Sequence, residues 1–398
     1  MAKKATTVGG KGATRLVSVT LSGVPAFGPR ASVTLELEPG ITVLVGRNGA
    51  GKSAILNGIS AMAGFIFRDP TGLLWRRDSG ARSATFEVAT PTLGQLVYKC
   101  TRTLILSRER LAVRWTERLS ADERLVWARA GGQVAGQGTT VTVPEELSYL
   151  GTAPVSPHAT AISELFRSLA IVPSGLPRSS LNDNEQKDLN SFVRIQGAEL
   201  VSRPRGRLGA LVTKLVSWHL AKDEALEELN AVLLRLKLLR TAIKVAEIKG
   251  PNGPGSRPPP ERFAHVTAER LLDFLDLSDG TLRVIEILAT VIGSAPGSIT
   301  LIEEPETGIH PGMLEAVVEE LKAYATDRQI VVATHSADLV SRFRGPALRL
   351  VSRVNGVVRV RKVTAGEAKR IKAFLHDGTL GDFVFGGGIE EDEAEGDG

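Results

Sequence analysis

Eight consecutive residues, Gly46-Arg47-Asn48-Gly49-Ala50-Gly51-Lys52-Ser53, fit the spacing G-x-x-x-x-G-K-[ST] in full. Glycines at this spacing let successive backbone N–H groups turn inward around phosphate oxygens, where a side chain would collide. Gly46, Asn48, Gly49, Ala50 and Gly51 would form the cradle. Lys52 would reach the β- and γ-phosphates, and the Ser53 hydroxyl would ligate Mg²⁺. A helix starting at Lys52 would point its positive end at the same anion. The chemistry implied is binding of ATP with Mg²⁺.

A phosphate loop needs an acidic element to complete the metal site. Ile299-Thr300-Leu301-Ile302-Glu303-Glu304 is an apolar run ending in two carboxylates. At the carboxyl end of a parallel strand they would face the crevice where such sheets bind ligands. Successive side chains point in different directions, so the two acids can have separate jobs. Glu303 would hold the Mg²⁺ shell and Glu304 would polarise the attacking water, against the plainer reading of two helix-capping acids before Pro305. His335 follows the apolar run Ile330–Ala333 and would sit beside the same crevice. In Leu277-Ser278-Asp279-Gly280-Thr281-Leu282-Arg283, Ser278 taken alone is an N-cap. Its place one helix ahead of the Glu303–Glu304 strand adds a phosphate-binding reading.

The elements that must position these residues can be read from periodicity. Strands are predicted near Leu16–Leu21, near Ser32–Leu37, where apolar and polar residues alternate, and at Ile41–Val45, a continuous apolar run suited to a buried strand. From about Thr85 to Val143 four strand-like segments separated by turn or polar residues predict an antiparallel meander. From about Ala161 the pattern turns helical, most strongly over Leu208–Ile248. There Leu226, Leu229, Leu233, Leu236 and Ile243 recur at helical spacing. Two heptads interrupted by Arg240 do not make a long coiled coil, so a helical hairpin or short arm is expected. Gly250–Glu261, rich in Gly and Pro, would end it. A helix, the strand Ile299–Ile302, the helix Met313–Ala325 and the strand Ile330–Ala333 would come next in β–α–β order, hence a largely parallel sheet.

GRNGAGKS, LSDGTLR, LIEEPETGIHP and VVATHSADL, in this order, resemble the ATPase head of the ABC class, and more narrowly its soluble RecF/SMC/OLD-like branch. Asp377–Phe383 is similar to the closing segment common in that branch. The likeness covers roughly residues 14–60 and 263–385. It implies an α/β, P-loop ABC-type head: a mixed or antiparallel N-terminal lobe (14–150), a mainly helical insertion (151–262), a parallel-sheet lobe (263–388) and an acidic tail (389–398). It further implies a homodimer, or higher assembly, that sandwiches ATP. Ser278 and Gly280 would touch the γ-phosphate held by the other subunit, and Gly308 to His310 would form a loop crossing the interface. Two departures stand out. The first acid of the pair is Glu303, where such heads usually carry Asp. The glutamine expected between P-loop and signature could be Gln95, Gln133 or Gln137.

Composition bounds the rest. At 398 residues with 42% hydrophobic content the chain can bury a sizeable core. No apolar run approaches the ~18–20 residues that span a bilayer. Lys3, Lys4, Lys11 and Arg15 are followed by no apolar core, so no secretory signal is expected. The single cysteine, Cys100, fits a reducing cytoplasm. Six acids between Glu390 and Asp397 lie in a tail that reads as disordered; without them the formal charge rises from +5 to +11. The basic body either contacts nucleic acid or is a scattered solvated surface. Two functions are expected on these grounds: an ATPase acting on DNA in repair or anti-phage defence, or an ATP-dependent switch that holds and releases a separate effector protein. Clustering of Arg203, Arg205 and Arg207 with Arg235 and Arg240 would favour the first. The insert is too short for long SMC-type arms, and the stretch after His335 too short for a C-terminal nuclease domain. Phe65, Phe67 and Trp75 could cover an adenine or fill the core.

Overall fold

The computed structural model describes residues 13–28, 30–67, 80–106, 111–136, 139–145, 147–152, 156–177, 192–196, 199–200, 206–249, 262–269, 272–364 and 367. The chain divides into two compact units. One is built from the chain up to Ile171, Ser294–Glu303 and the chain from Lys322 on; the other from Val172–Gly293 and Glu304–Leu321. The Gly/Pro-rich stretch 250–261, the closing segment 377–383 and the acidic tail lie outside the described residues.

The first unit holds two sheets. Strands β1 (Arg15–Ser22) and β2 (Ser32–Glu36) pair antiparallel, and β3 (Ile41–Val45) leaves for the second sheet. Then β4 (Gly80–Thr90), β5 (Gly94–Leu106), β6 (Leu111–Ala121) and β7 (Arg124–Ala130) run as the four-stranded meander predicted, and β8 (Gln133–Gly136) and β9 (Thr139–Thr142) extend it. The eight strands lie in the order β2-β1-β4-β5-β6-β7-β8-β9. Alternation puts Phe86, Tyr98, Trp115 and Leu119 into the core, where Phe86 meets Phe166 edge-on at 4.6 Å between ring centroids.

An ion pair is among the charges buried in this sheet. Glu117, 1% exposed, accepts from Tyr98 Oη (2.6 Å), Ser148 Oγ (2.6 Å), the Tyr149 backbone N–H (2.8 Å) and Arg129 Nη1 (3.0 Å). Arg129 in turn donates to the carbonyls of Gly131, Pro144, Glu145 and Leu147. Both ions are thus saturated with partners, the condition under which a buried pair is tolerated.

The second sheet adds β10 (Ala170–Val172), β16 (Ile299–Glu303), β17 (Gln329–Thr334), β18 (Leu348–Val354) and β19 (Val357–Lys362), in the order β10-β16-β17-β3-β18-β19. Strands β16, β17, β3 and β18 are mutually parallel, and β18 turns back into antiparallel β19 at Asn355-Gly356. Every residue of β16 and β17 is buried, as the continuous apolar runs predicted. Polar side chains tie the two sheets together. Gln329 exchanges both amide bonds with the Leu16 backbone at 2.8 Å and donates to Glu38 O, while Arg349 reaches Glu36 O and the Glu38 carboxylate.

The second unit carries an antiparallel sheet of β11 (Phe192–Gln196), β12 (Glu199–Leu200), β13 (Lys244–Lys249) and β14 (Arg262–Ala268), ordered β12-β11-β14-β13, with β15 (Leu272–Asp273) paired to β14. Helices Gly206–Ala221, Glu224–Arg235 and Asp279–Ile292 belong to it. The helical reading of Leu208–Ile248 does not hold to its end. The second helix stops at Arg235, Lys237 takes a left-handed φ of +56°, and Lys244–Lys249 is a strand. Asn230 clasps both backbone groups of Ile243 (2.7 and 3.1 Å) and launches β13 onto β14, where Val245 opposes Val266. The helix predicted ahead of the Ile299 strand is Asp279–Ile292, and strand β14 precedes it.

Candidate functional site

Parallel register brings the first set of residues to one edge. Glu303 stands opposite Ala333, and Ala333 opposite Leu44. The chain therefore delivers Gly46–Ser53 just beyond β3, His335 just beyond β17 and Glu303 at the end of β16, along one row of carboxyl termini. The loop itself has the backbone its motif demands. Gly49 adopts φ +80°, and a Cβ on Gly46 would run into the Val351 carbonyl. Helix Lys52–Phe67 starts directly after Gly51 and packs Ile55, Leu56 and Ile59 into the core. Arg47, Asn48, Gly49 and Ser53 are exposed, whereas Gly46 and Ala50 are buried. Lys52 is buried too, and its ammonium spans the loop, donating to Gly46 O (2.7 Å) and Arg47 O (3.0 Å).

These residues fit a triphosphate with Mg²⁺. The loop is a glycine cradle at a helix N-terminus, Ser53 presents a hydroxyl in the first turn, and Glu303 brings a buried carboxylate to the same strand edge. Among the described residues no group of three or more His, Cys, Asp or Glu side chains gathers as a self-sufficient metal cage. His335 is exposed, and Ser336 after it caps the short helix Ala337–Ser341 by accepting from the Leu339 N–H.

Sequence reasoning missed the support behind the loop. The β18–β19 hairpin carries Arg353, whose guanidinium donates to Gly49 O (3.2 Å), Gly356 O (3.0 Å) and Ala26 O (2.7 Å). Asn355-Gly356 between alternating apolar residues was the available hairpin signal. Phe65 proves to be core: it is buried, with the Arg102 guanidinium over its ring at 4.2 Å. The Phe67 side chain and Trp75 lie outside the described residues. Gln95 and Gln133 are both exposed on the eight-stranded sheet, and Gln137 is outside the description.

The remaining residues belong to the second unit. Ser278 caps helix Asp279–Ile292, its Oγ accepting from Thr281 N (3.2 Å). Gly280 packs so closely that a Cβ there would collide with the Gly308 carbonyl. Glu304 is half-buried with a left-handed φ of +44°, and its carbonyl accepts from Thr307 N (3.1 Å). The turn continues to exposed Gly308, buried Ile309 and exposed His310 before the next helix, Pro311–Tyr324. Arg283 is fully buried and pairs with Glu286 (3.0 Å), which also pairs with Arg207 (2.7 Å). Burial pushes the Arg283 guanidinium's pKa down, and Glu286 pushes it back up.

Residues 143–341, half of the chain, match the family described as "AAA domain, putative AbiEii toxin, Type IV TA system". The chain belongs to this family. A second AAA-domain family matches residues 18–126 of this AAA-domain protein. Among solved structures, an SMC head bound to the C-terminal winged-helix domain of ScpA is similar at TM-score 0.51 and 12% identity, covering 90% of this chain and 100% of that one. A Pyrococcus furiosus SMC head with an extended coiled coil, bound to the C-terminal domain of ScpA, gives TM-score 0.50 and 12% identity, covering 92% and 100%. A comparison with curated protein sequences finds no match. The fold is that of an ABC-type ATPase head of the RecF/SMC-like branch, and the family is one of nucleotide-binding ATPases. Among the described residues no helix is long and apolar enough to cross a membrane.

Proposed function

We propose that this AAA-domain protein hydrolyses ATP in the presence of Mg²⁺ as a dimer that sandwiches the nucleotide. The observation that carries the reading is the row formed by the Gly46–Ser53 loop, Glu303 and His335 at the aligned ends of β3, β16 and β17. Lys52 exchanges its bonds to Gly46 O and Arg47 O for phosphate oxygens. Mg²⁺, held by Ser53 and Glu303, would neutralise charge on the phosphates. Glu304 takes a proton from water as its oxygen attacks the γ-phosphorus, ADP departs, and His335 steadies the transferred group. Ser278 and Gly280 of one subunit close over the γ-phosphate held by the other, so turnover opens the dimer.

The cellular role divides into the two expected classes, and one observation moves the balance. Of the five arginines whose clustering would mark a nucleic-acid face, Arg207 is committed to Glu286 and the carbonyls of Pro173, Ser174 and Gly175, and Arg235 to Glu320. Arg203 and Arg205 lie outside the described residues, Arg240 is exposed, and the engagement of the other two favours an ATP-dependent switch holding a separate protein over an ATPase driven by DNA in repair or anti-phage defence. The two SMC heads it resembles in fold are each bound to a domain of ScpA.

The test is ATP turnover by wild type and Glu304→Gln, with and without DNA, alongside oligomeric state. Glu304→Gln is expected to keep ATP binding, lose turnover by about 100-fold or more, and accumulate a dimer or higher assembly. Stimulation of the wild type by DNA would restore the nucleic-acid reading. Normal turnover by Glu304→Gln would remove Glu304 from the catalytic role.

A further inference from the structure

We propose that Arg283, the last residue of the LSDGTLR segment, is a positioning residue that holds Glu304 of its own subunit in the left-handed conformation from which it acts. The inference deepens the proposed function and rests on Glu304 being the residue that activates water.

Glu304 sits at φ +44°, a backbone state that residues with a Cβ rarely adopt and that persists only where surroundings enforce it. Two donors converge on its carbonyl: Thr307 N at 3.1 Å, and Arg283 Nη2 at 3.4 Å. The guanidinium is itself held by other contacts. It is fully buried, its Nη1 donates to Pro173 O (2.8 Å) and Glu286 Oε2 (3.0 Å), and Glu286 is clamped from its other side by Arg207. A planar fork with several fixed donors suits this bridging; an ammonium on a flexible stem does not.

A second contact joins the same two segments. Gly280, three residues before Arg283 and so on the same helix face, lies against the Gly308 carbonyl with no room for a Cβ. The helix that begins at Ser278 is therefore locked to the turn 304–308 at both of its ends, through Arg283 at Glu304 and through Gly280 at Gly308. A shift of that helix as Ser278 and Gly280 meet a γ-phosphate would be felt at Glu304 in the same chain. Each subunit's water-activating residue would thus be set by the nucleotide its partner holds.

The test compares Arg283→Lys with Arg207→Met, measuring amide hydrogen exchange over residues 304–310, kcat and KM for ATP, and Tm. Arg283→Lys keeps a cation beside Glu286 but has one nitrogen where the guanidinium uses Nη1 for Pro173 O and Glu286 and Nη2 for Glu304 O. It is expected to speed exchange over 304–310 by about tenfold and lower kcat by about tenfold or more, with KM within about threefold. Arg207→Met breaks the same ion network away from Glu304. Because Arg207 shares the acceptors Pro173 O and Glu286 Oε2 with Arg283 but does not reach Glu304 O, this variant is expected to lower Tm at least as much while lowering kcat by no more than about threefold. Should lysine prevent folding, Arg207→Met, Glu286→Met and Arg283→Met together replace the whole ion triad by apolar volume, and the same readouts are compared with those of Arg207→Met alone. Unchanged exchange over 304–310, or loss of kcat in both variants in step with Tm, overturns the proposal. Glu304→Gln, run in parallel, separates the causes of failure. If it turns over ATP like wild type, the catalytic reading of Glu304 has failed. If it is inactive while Arg283→Lys is fully active, only the positioning role has.

Discussion

The two helix N-termini that the proposed mechanism assigns to phosphate are built in opposite ways. At Lys52 the helix opens from a loop of glycines, with Arg47, Asn48, Gly49 and Ser53 exposed around it. At Asp279 the helix is closed by its own N-cap, Ser278, and Gly280 is pressed against the Gly308 carbonyl. The first end is complete within one unit, with the Lys52 ammonium folded onto the loop carbonyls of Gly46 and Arg47. The second spends a donor on local structure, and its glycine serves packing within its own unit as well as any approach of a ligand. A cradle and a lid need different things: the cradle must be vacant of side chains, whereas the lid must be rigid.

Substitutions at four positions probe that contrast. Lys52→Ala should weaken ATP binding by about 100-fold, close to 3 kcal/mol, in a fluorescent-nucleotide titration; a change under about threefold would mean the loop is not the primary phosphate site. Gly280→Ala forces a Cβ into the Gly308 carbonyl and should lower unfolding free energy by about 2 kcal/mol in urea titration. A neutral outcome there would show that the helix and the turn are not locked. Ser278 can be split into its two roles. Ser278→Ala should cost about 1 kcal/mol of stability, whereas Ser278→Asp keeps the cap. Its carboxylate would face the γ-phosphate, so Ser278→Asp should abolish ATP-driven dimerisation with Tm nearly unchanged. Retained dimerisation would leave Ser278 a cap only. The smallest effect is expected from Arg353→Ala, which removes the brace on Gly49 O and should weaken ATP binding by about three- to tenfold through a looser loop.

The residues whose partners are close in sequence were legible. Gly46–Ser53 is a contiguous motif with its strand beside it, and the apolar runs Ile41–Val45, Ile299–Ile302 and Ile330–Ala333 became β3, β16 and β17 with boundaries shifted by at most one residue. The meander was legible for the same reason: each strand alternates and ends at a turn. Contacts made across the chain were not. Arg353 finds Gly49 from 304 residues away, and Arg283 finds Pro173 from 110. Neither partner is a side chain, so nothing in composition announces it. Lys244–Lys249 failed differently. Its leucine-rich approach keeps helical spacing up to Leu236, and only the Asn230 clasp on Ile243 and the pairing with β14 turn the next segment into a strand. Tertiary pairing overrode local period there.

The buried Glu117 also bears on how the meander comes together. Its donors are dispersed along the chain: Tyr98 lies one strand earlier, Arg129 one strand later, and Ser148 and Tyr149 beyond the last strand, 31 and 32 residues downstream. Until all four arrive, closing the sheet over Glu117 strands a carboxylate in apolar surroundings, so partial hairpins gain little by closing early. The meander and the segment after it are thereby made to ripen as one cooperative piece. A break anywhere between Tyr98 and Tyr149 should melt the whole of it rather than fray one edge.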